Sequence, residues 1–153
     1  MTSPTKRIFT HDEVLHRIPL LKRIVGDVVD ANDRRRKARE LYQEFQVIAR
    51  NIRSPEIDET INNLRSEVKD LDAQIALVDK EIVDLGGILK DARKGHVYFY
   101  SERDGRKIFL VWEFSTPDQI CWHELDETYA DRMPLESPPL GTSSSSSYDR
   151  RRE

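Results

Sequence analysis

Imidazole, carboxylate and thiolate are zinc-type ligands, and this chain carries such a set in His96, Glu113, Cys121 and His123. If the span folds as antiparallel strands, His96, Glu113 and Cys121 fall in one row, with His123 two residues beyond the cysteine. No strong ligand-spacing motif accompanies them, so they stay weak candidates and no metal is assigned. Nucleophilic catalysis fares worse. Cys121 and His123 share a face, but a reactive thiolate needs a positive environment, and a neighbouring Glu113 would raise the thiol pKa by like-charge repulsion. A structural cysteine is the better reading. No phosphate-cradling glycine loop and no H-E-x-x-H helix occurs, so no catalytic residue and no cofactor is assigned.

These residues need strands to position them. After Gly86 and Gly87 the apolar period becomes two, and Val97–Tyr100, Lys107–Phe114 and Ile120–Glu124 read as a three-stranded antiparallel meander within about residues 95–125. Asp104-Gly105 is a two-residue hairpin turn that places Arg103 opposite Arg106, Phe99 opposite Leu110 and Val97 opposite Trp112. A second hairpin centred on Pro117 would place Trp112 opposite Trp122, Phe114 opposite Ile120 and Val111 opposite His123. One face then gathers Val97, Phe99, Ile108, Leu110, Trp112, Phe114, Ile120 and Trp122. The half-exposed opposite face gathers His96, Tyr98, Tyr100, Phe109, Val111, Glu113, Cys121 and His123.

The apolar face needs a cover. The T-H-D-E stretch, Thr10 to Glu13, is a capping box with Phe9 and Val14 as its hydrophobic staple. It predicts a short N-terminal helix whose Val14, Leu15 and Ile18 lie on the sheet, with Pro19 kinking it or opening a second helix. From Pro19 to about Arg50 a weaker stripe runs through Leu21, Ile24, Val28, Ala31, Ala38, Tyr42, Phe45, Ala49 and Ile52, with Leu41 and Ile48 beside it. The strongest pattern follows. Ile57, Ile61, Leu64, Val68, Leu71, Ile75, Val78, Ile82 and Leu85 alternate spacings of four and three, as in a coiled coil. Ser54 and Pro55 start this helix and the paired glycines stop it. Two rods of similar length, over about 19–85, predict an antiparallel helical hairpin. A lone hairpin buries little, so pairing of two copies into a four-helix bundle is expected.

Of the 153 residues, 35% are charged and 37% hydrophobic, a polar balance that suits exposed helices burying one narrow stripe. The net charge of -3 argues against general nucleic-acid binding and against attraction to an anionic membrane. The run Arg34–Lys37 wraps around a helix, which favours a solvated face over a nucleic-acid site. Arg35 falls on the seam and must either snorkel to water or meet an acid from a partner helix. One cysteine points to a reducing, cytoplasmic setting, and no apolar run is long enough to span a membrane. Residues 136–153, Ser/Pro-rich, are expected to be disordered, which leaves 1–135 as a single α+β domain.

With this layout the chain resembles the bacterial domain of unknown function 2203 family. The resemblance runs over about residues 8 to 135, through F-T-H-D-E-V-L-H-R-I-P-L-L, L-K-D-A-R-K-G-H-V-Y-F, D-G-R-K-I-F-L-V-W and W-H-E-L-D-E-T-Y-A-D-R-M-P-L. It implies a helical hairpin with a small appended sheet and no assigned activity. Lys90, Asp91, Gly95, Gly105, Arg106, Trp112, Trp122, His123, Glu124 and Arg132 fit the family pattern. Thr128 to Arg132 stand where relatives look like G-F-x-G-R, so both glycines are missing. Lys90, Asp91, Arg106, Glu124 and Arg132 can pair to lock the sheet to the rod, and Trp112 and Trp122 can stack. The functional alternative is a shallow anion or peptide pocket lined by Lys90, Asp91, Arg106, His123, Glu124 and Arg132. The residues therefore predict a non-enzymatic interaction or scaffold module that self-associates as a homodimer through its hairpin. The alternative is a small-molecule, anion or metal-binding protein, an enzyme included, using the sheet end.

Overall fold

The computed structural model describes residues 7–135, and the tail at 136–153 lies outside them. Two long helices, α1 (His11–Ala49) and α2 (Pro55–Asp84), precede an antiparallel sheet. Its strands are β1 (Ile88–Asp91), β2 (His96–Arg103), β3 (Arg106–Glu113), β4 (Ile120–Glu124) and β5 (Met133–Pro134), in that spatial order.

The capping box forms as expected: the Thr10 hydroxyl accepts from the Glu13 amide at 3.1 Å, and the Glu13 carboxylate accepts from the Thr10 amide at 2.9 Å. The separate short helix does not. α1 passes through Pro19 as one helix of 39 residues. A proline inside a helix costs about 3 kcal/mol. Val14, Ile18, Leu21, Val25 and Val28 keep an unbroken spacing of four and three across it and are all buried. Several side chains at about 1.5–3 kcal/mol each outweigh the proline. Helix α2 begins where the sequence placed it, with the Ser54 hydroxyl accepting from the Ile57 amide at 3.1 Å. Arg35 meets Asp72 across the hairpin, and Arg65 reaches the Tyr42 hydroxyl farther out, as antiparallel rods require.

The sheet has five strands, not three. Ile88 and Leu89 extend it on one side through a bulged pairing with β2. Met133 and Pro134 extend it on the other, where proline is tolerated because an edge strand leaves one side of its ladder unpaired. Both strands are too short to show a period of two. The first hairpin register is as expected, with Asp104 (φ 54°) and Gly105 (φ 76°) both left-handed in the turn. The second is displaced by two residues. Trp112 pairs with Ile120, Leu110 with Trp122, Phe109 with His123 and Val111 with Cys121. The loop is longer than a tight turn and is tied by a 2.9 Å bond from the Trp112 indole to the Pro117 carbonyl. An even displacement leaves every side chain on its face.

That face packs on both helices. Val97, Phe99, Ile108, Leu110, Trp112 and Ile120 join Phe9, Val14, Ile18, Leu21, Ile24, Val25 and Val28 of the N-terminal segment and α1, and Val78 and Ile82 of α2. Leu15, expected in this core, is exposed, as is Phe114, which leaves the ladder and whose ring lies against Gly26. The two tryptophans do not pair. Trp122 sits under the Arg103 guanidinium, 4.7 Å from its ring centroid. Gly86 closes α2 at φ +93°, a conformation side chains avoid, with the Phe9 ring where a Cβ would stand.

Candidate functional site

The sheet's second face is covered, not half-exposed. A strap formed by residues 125–132 folds over it, shaped by a short turn at Tyr129–Asp131. Thr128 and Asp131 close that turn: the Asp131 carboxylate accepts from the Thr128 amide at 2.9 Å and from its hydroxyl at 3.1 Å. Tyr129 and Arg132 then reach the sheet. The Tyr129 hydroxyl donates to Glu113 at 2.6 Å, and Arg132 Nε donates to the other carboxylate oxygen at 2.7 Å. His96, directly opposite Glu113 in the ladder, stacks on the Tyr129 ring at 4.3 Å.

Burial sets the chemistry here. His96, Tyr98, Glu113 and His123 are all buried, and Cys121 is half-buried. Desolvation pushes the His96 imidazole below its ordinary range, against the opposing pull of Glu113 and Asp91. Desolvation raises the Cys121 thiol, and the Glu113 charge adds to that, which disfavours the reactive thiolate. Burial, followed by the bond to Glu113, pushes Tyr129 up to about 12. His123 donates from Nδ1 to the Glu124 carbonyl at 2.7 Å, which can only accept, and its ring lies edge-on to Tyr98 and Phe109. Its Nε2 is buried without a partner among the described residues.

The metal candidates thus share one face, but Cys121 lies opposite Val111 and not in the row of His96 and Glu113. Among the described residues no three His, Cys, Asp or Glu side chains gather to hold a metal ion. The pocket candidates do not gather as one set: Lys90 and His123 both lie against the Tyr98 ring, while Arg106 and Arg132 engage different acids. Arg132 pairs with Glu113 at 2.7 Å and Arg106 with Glu124 at 2.8 Å. Arg106 and Glu113 stand at opposite ends of β3, seven residue steps or about 23 Å of strand apart. Asp91 accepts from the Arg93 and Lys94 amides and shapes the β1–β2 turn, while Lys90 lies over Tyr98. Tyr129, which carries no role in the sequence pattern, organises the strap. Its signal was the local T-Y-A-D pattern, a second capping motif.

The model of the DUF2203 family, described as uncharacterized conserved proteins, matches residues 7–135. The chain belongs to this family. No curated protein and no solved structure matches it. The match spans every described element, the strap included. At Thr128–Arg132 the side-chain bonds of Thr128 and Asp131 hold the turn.

Far from the sheet, this family member shows a different surface. Between Ala38 and Leu71, the far half of the hairpin, no residue is buried. Seam residues Tyr42, Phe45, Ile57, Ile61, Leu64 and Val68 remain half-exposed there. Beside them Leu41 is 45% exposed, Ile48 39% and Ile52 57%. Leu41, Phe45 and Ile48 share one stripe of α1, and Ile52 follows just past its end. The basic run beneath it is engaged with acids. Arg34 pairs with Asp30, Arg35 with Asp72, Arg36 with Asp33 and Glu40, and Lys37 with Asp33. No helix among the described residues is long and apolar enough to cross a membrane.

Proposed function

We propose that this protein is a non-enzymatic interaction module that self-associates through the outer half of its helical hairpin, working in the reducing cytoplasm. One observation carries the reading: a heptad-spaced apolar seam continues for the full length of α2, yet its buried residues, Leu71, Val78 and Ile82, all lie in the inner half. Two helices alone cannot exclude water from such a seam. A second hairpin laid against Leu41, Phe45, Ile48, Leu64 and Val68 turns the wet half into the core of a four-helix bundle. Burying such a patch contributes about 25 cal/mol per Å². The neutralised charges of the Arg34–Lys37 run fit a protein surface better than a nucleic-acid one, since few cations remain to meet phosphates.

Light scattering coupled to size exclusion tests this on the intact chain. The wild type should elute as a dimer. Leu41→Lys combined with Ile48→Lys should give a monomer with unchanged helix content, because both positions face solvent in the single chain. A wild type that is monomeric at every concentration reached, or a double variant that keeps the wild-type mass, would overturn the proposal.

A further inference from the structure

The strap is held to the sheet by contacts that converge on Glu113 and leave His96 in an unusual position. Tyr129 takes one oxygen of that carboxylate and Arg132 takes the other. His96 Nε2 stands 3.9 Å from Glu113 Oε1, beyond hydrogen-bond reach. The Tyr129 ring lies over the imidazole, nearly parallel at 15°, and the Arg132 guanidinium sits 3.8 Å from the centroid of the same ring. The charged and titratable groups facing His96 are therefore Glu113 from β3, Asp91 from the end of β1, Lys94 from the β1–β2 turn, and Tyr129 and Arg132 from the strap.

We propose that protonation of His96 releases the 125–132 strap, so that the second face of the sheet is closed at neutral pH and opens in acid. A proton arriving on His96 in the closed state places a second cation beside Arg132 in a dry site and gains no direct bond to Glu113. Opening lifts the Tyr129 ring and lets water reach the imidazolium. The proton therefore binds the open state better, and by linkage it draws the strap open. The direction agrees with the lowered imidazole pKa, whose largest cause is burial. Opening uncovers Tyr98, Cys121 and His123, and gives the unpartnered His123 Nε2 access to water.

Amide exchange of residues 125–135, corrected for the intrinsic pH dependence, tests the coupling between about pH 7.5 and 5. Wild-type protection should fall by up to about tenfold per pH unit below the ordinary imidazole value, the slope of one linked proton. His96→Phe keeps a ring for Tyr129 to stack on but cannot be protonated, and its protection should stay flat. Tyr129→Phe should show low protection throughout. Unchanged wild-type protection would overturn the proposal, as would an equal fall in His96→Phe. The His96 ring titration in the wild type, followed by NMR, is a check that needs no variant. Its midpoint should coincide with that of the strap amides, and separate midpoints would also overturn the coupling.

Discussion

The two ends of α2 obey the same spacing rule and reach different outcomes. Near the sheet, Val78 and Ile82 meet the opposite helix and the apolar sheet face together, and both are buried. Toward the tip, Ile57, Ile61, Leu64 and Val68 meet one helix only and stay half-wet. Heptad spacing specifies which side of a helix is apolar. It does not specify how many neighbours that side will find, and burial needs at least a third layer.

Truncations along the molecule sharpen this contrast. The largest loss is expected for Trp112→Ala, a fully buried ring that also donates to the Pro117 carbonyl. Denaturant unfolding should show about 3–5 kcal/mol lost. Next comes the matched pair within α2. Ile82→Ala should cost about 2–4 kcal/mol and Ile61→Ala about half that or less when measured in the monomeric Leu41→Lys, Ile48→Lys background. Equal losses there would show that the outer seam is as dry as the inner one and would break the comparison.

Smaller again is Tyr129→Phe, which removes one bond to a buried carboxylate and should cost about 1–2 kcal/mol. Its pH signature is distinctive. The phenol is raised from 10.0 to about 12, so its contribution is full below pH 10 and lost as pH climbs toward 12. Alkaline titration of wild-type stability should show that decline, and Tyr129→Phe should lack its share. Last is Arg106→Ala, whose pair with Glu124 is largely solvated and should be worth under about 1 kcal/mol. A larger loss would mean the sheet end is more than an exposed ion pair.

Much of this was legible in the residues. The α2 seam, its Ser54 cap, the Asp104-Gly105 turn and the identity of each sheet face all follow from local spacing and turn chemistry. The expected helix break at Pro19 does not form, because a proline is a local signal, whereas the Val14-to-Val28 stripe that overrides it is a tertiary one. The second hairpin slipped by two residues because its loop is fixed by the Trp112–Pro117 bond, which no turn motif announces. The edge strands were missed for want of length. For the candidate site, His96 opposite Glu113 was readable from the register. The burial of that row was not, because the strap that covers it comes from a stretch with no apolar period. That also changes the expectation for His123, whose ring is packed between Tyr98 and Phe109 and not half-exposed.

The attachment of the N-terminal segment has a consequence for how the chain folds. The Phe9 amide donates to the Tyr100 carbonyl at 2.7 Å, the Ser101 hydroxyl donates back to the Phe9 carbonyl, and the ring closes over Gly86. These contacts join positions as much as 92 residues apart in sequence. The helical pair and the strand hairpins are built from much nearer neighbours. Loop closure over such a distance is entropically slow, so it belongs late in folding, after the hairpins exist. Phe9 then acts as a latch on the finished body. Shortening it should speed unfolding and leave the folding rate nearly unchanged, a partition that stopped-flow chevrons resolve directly.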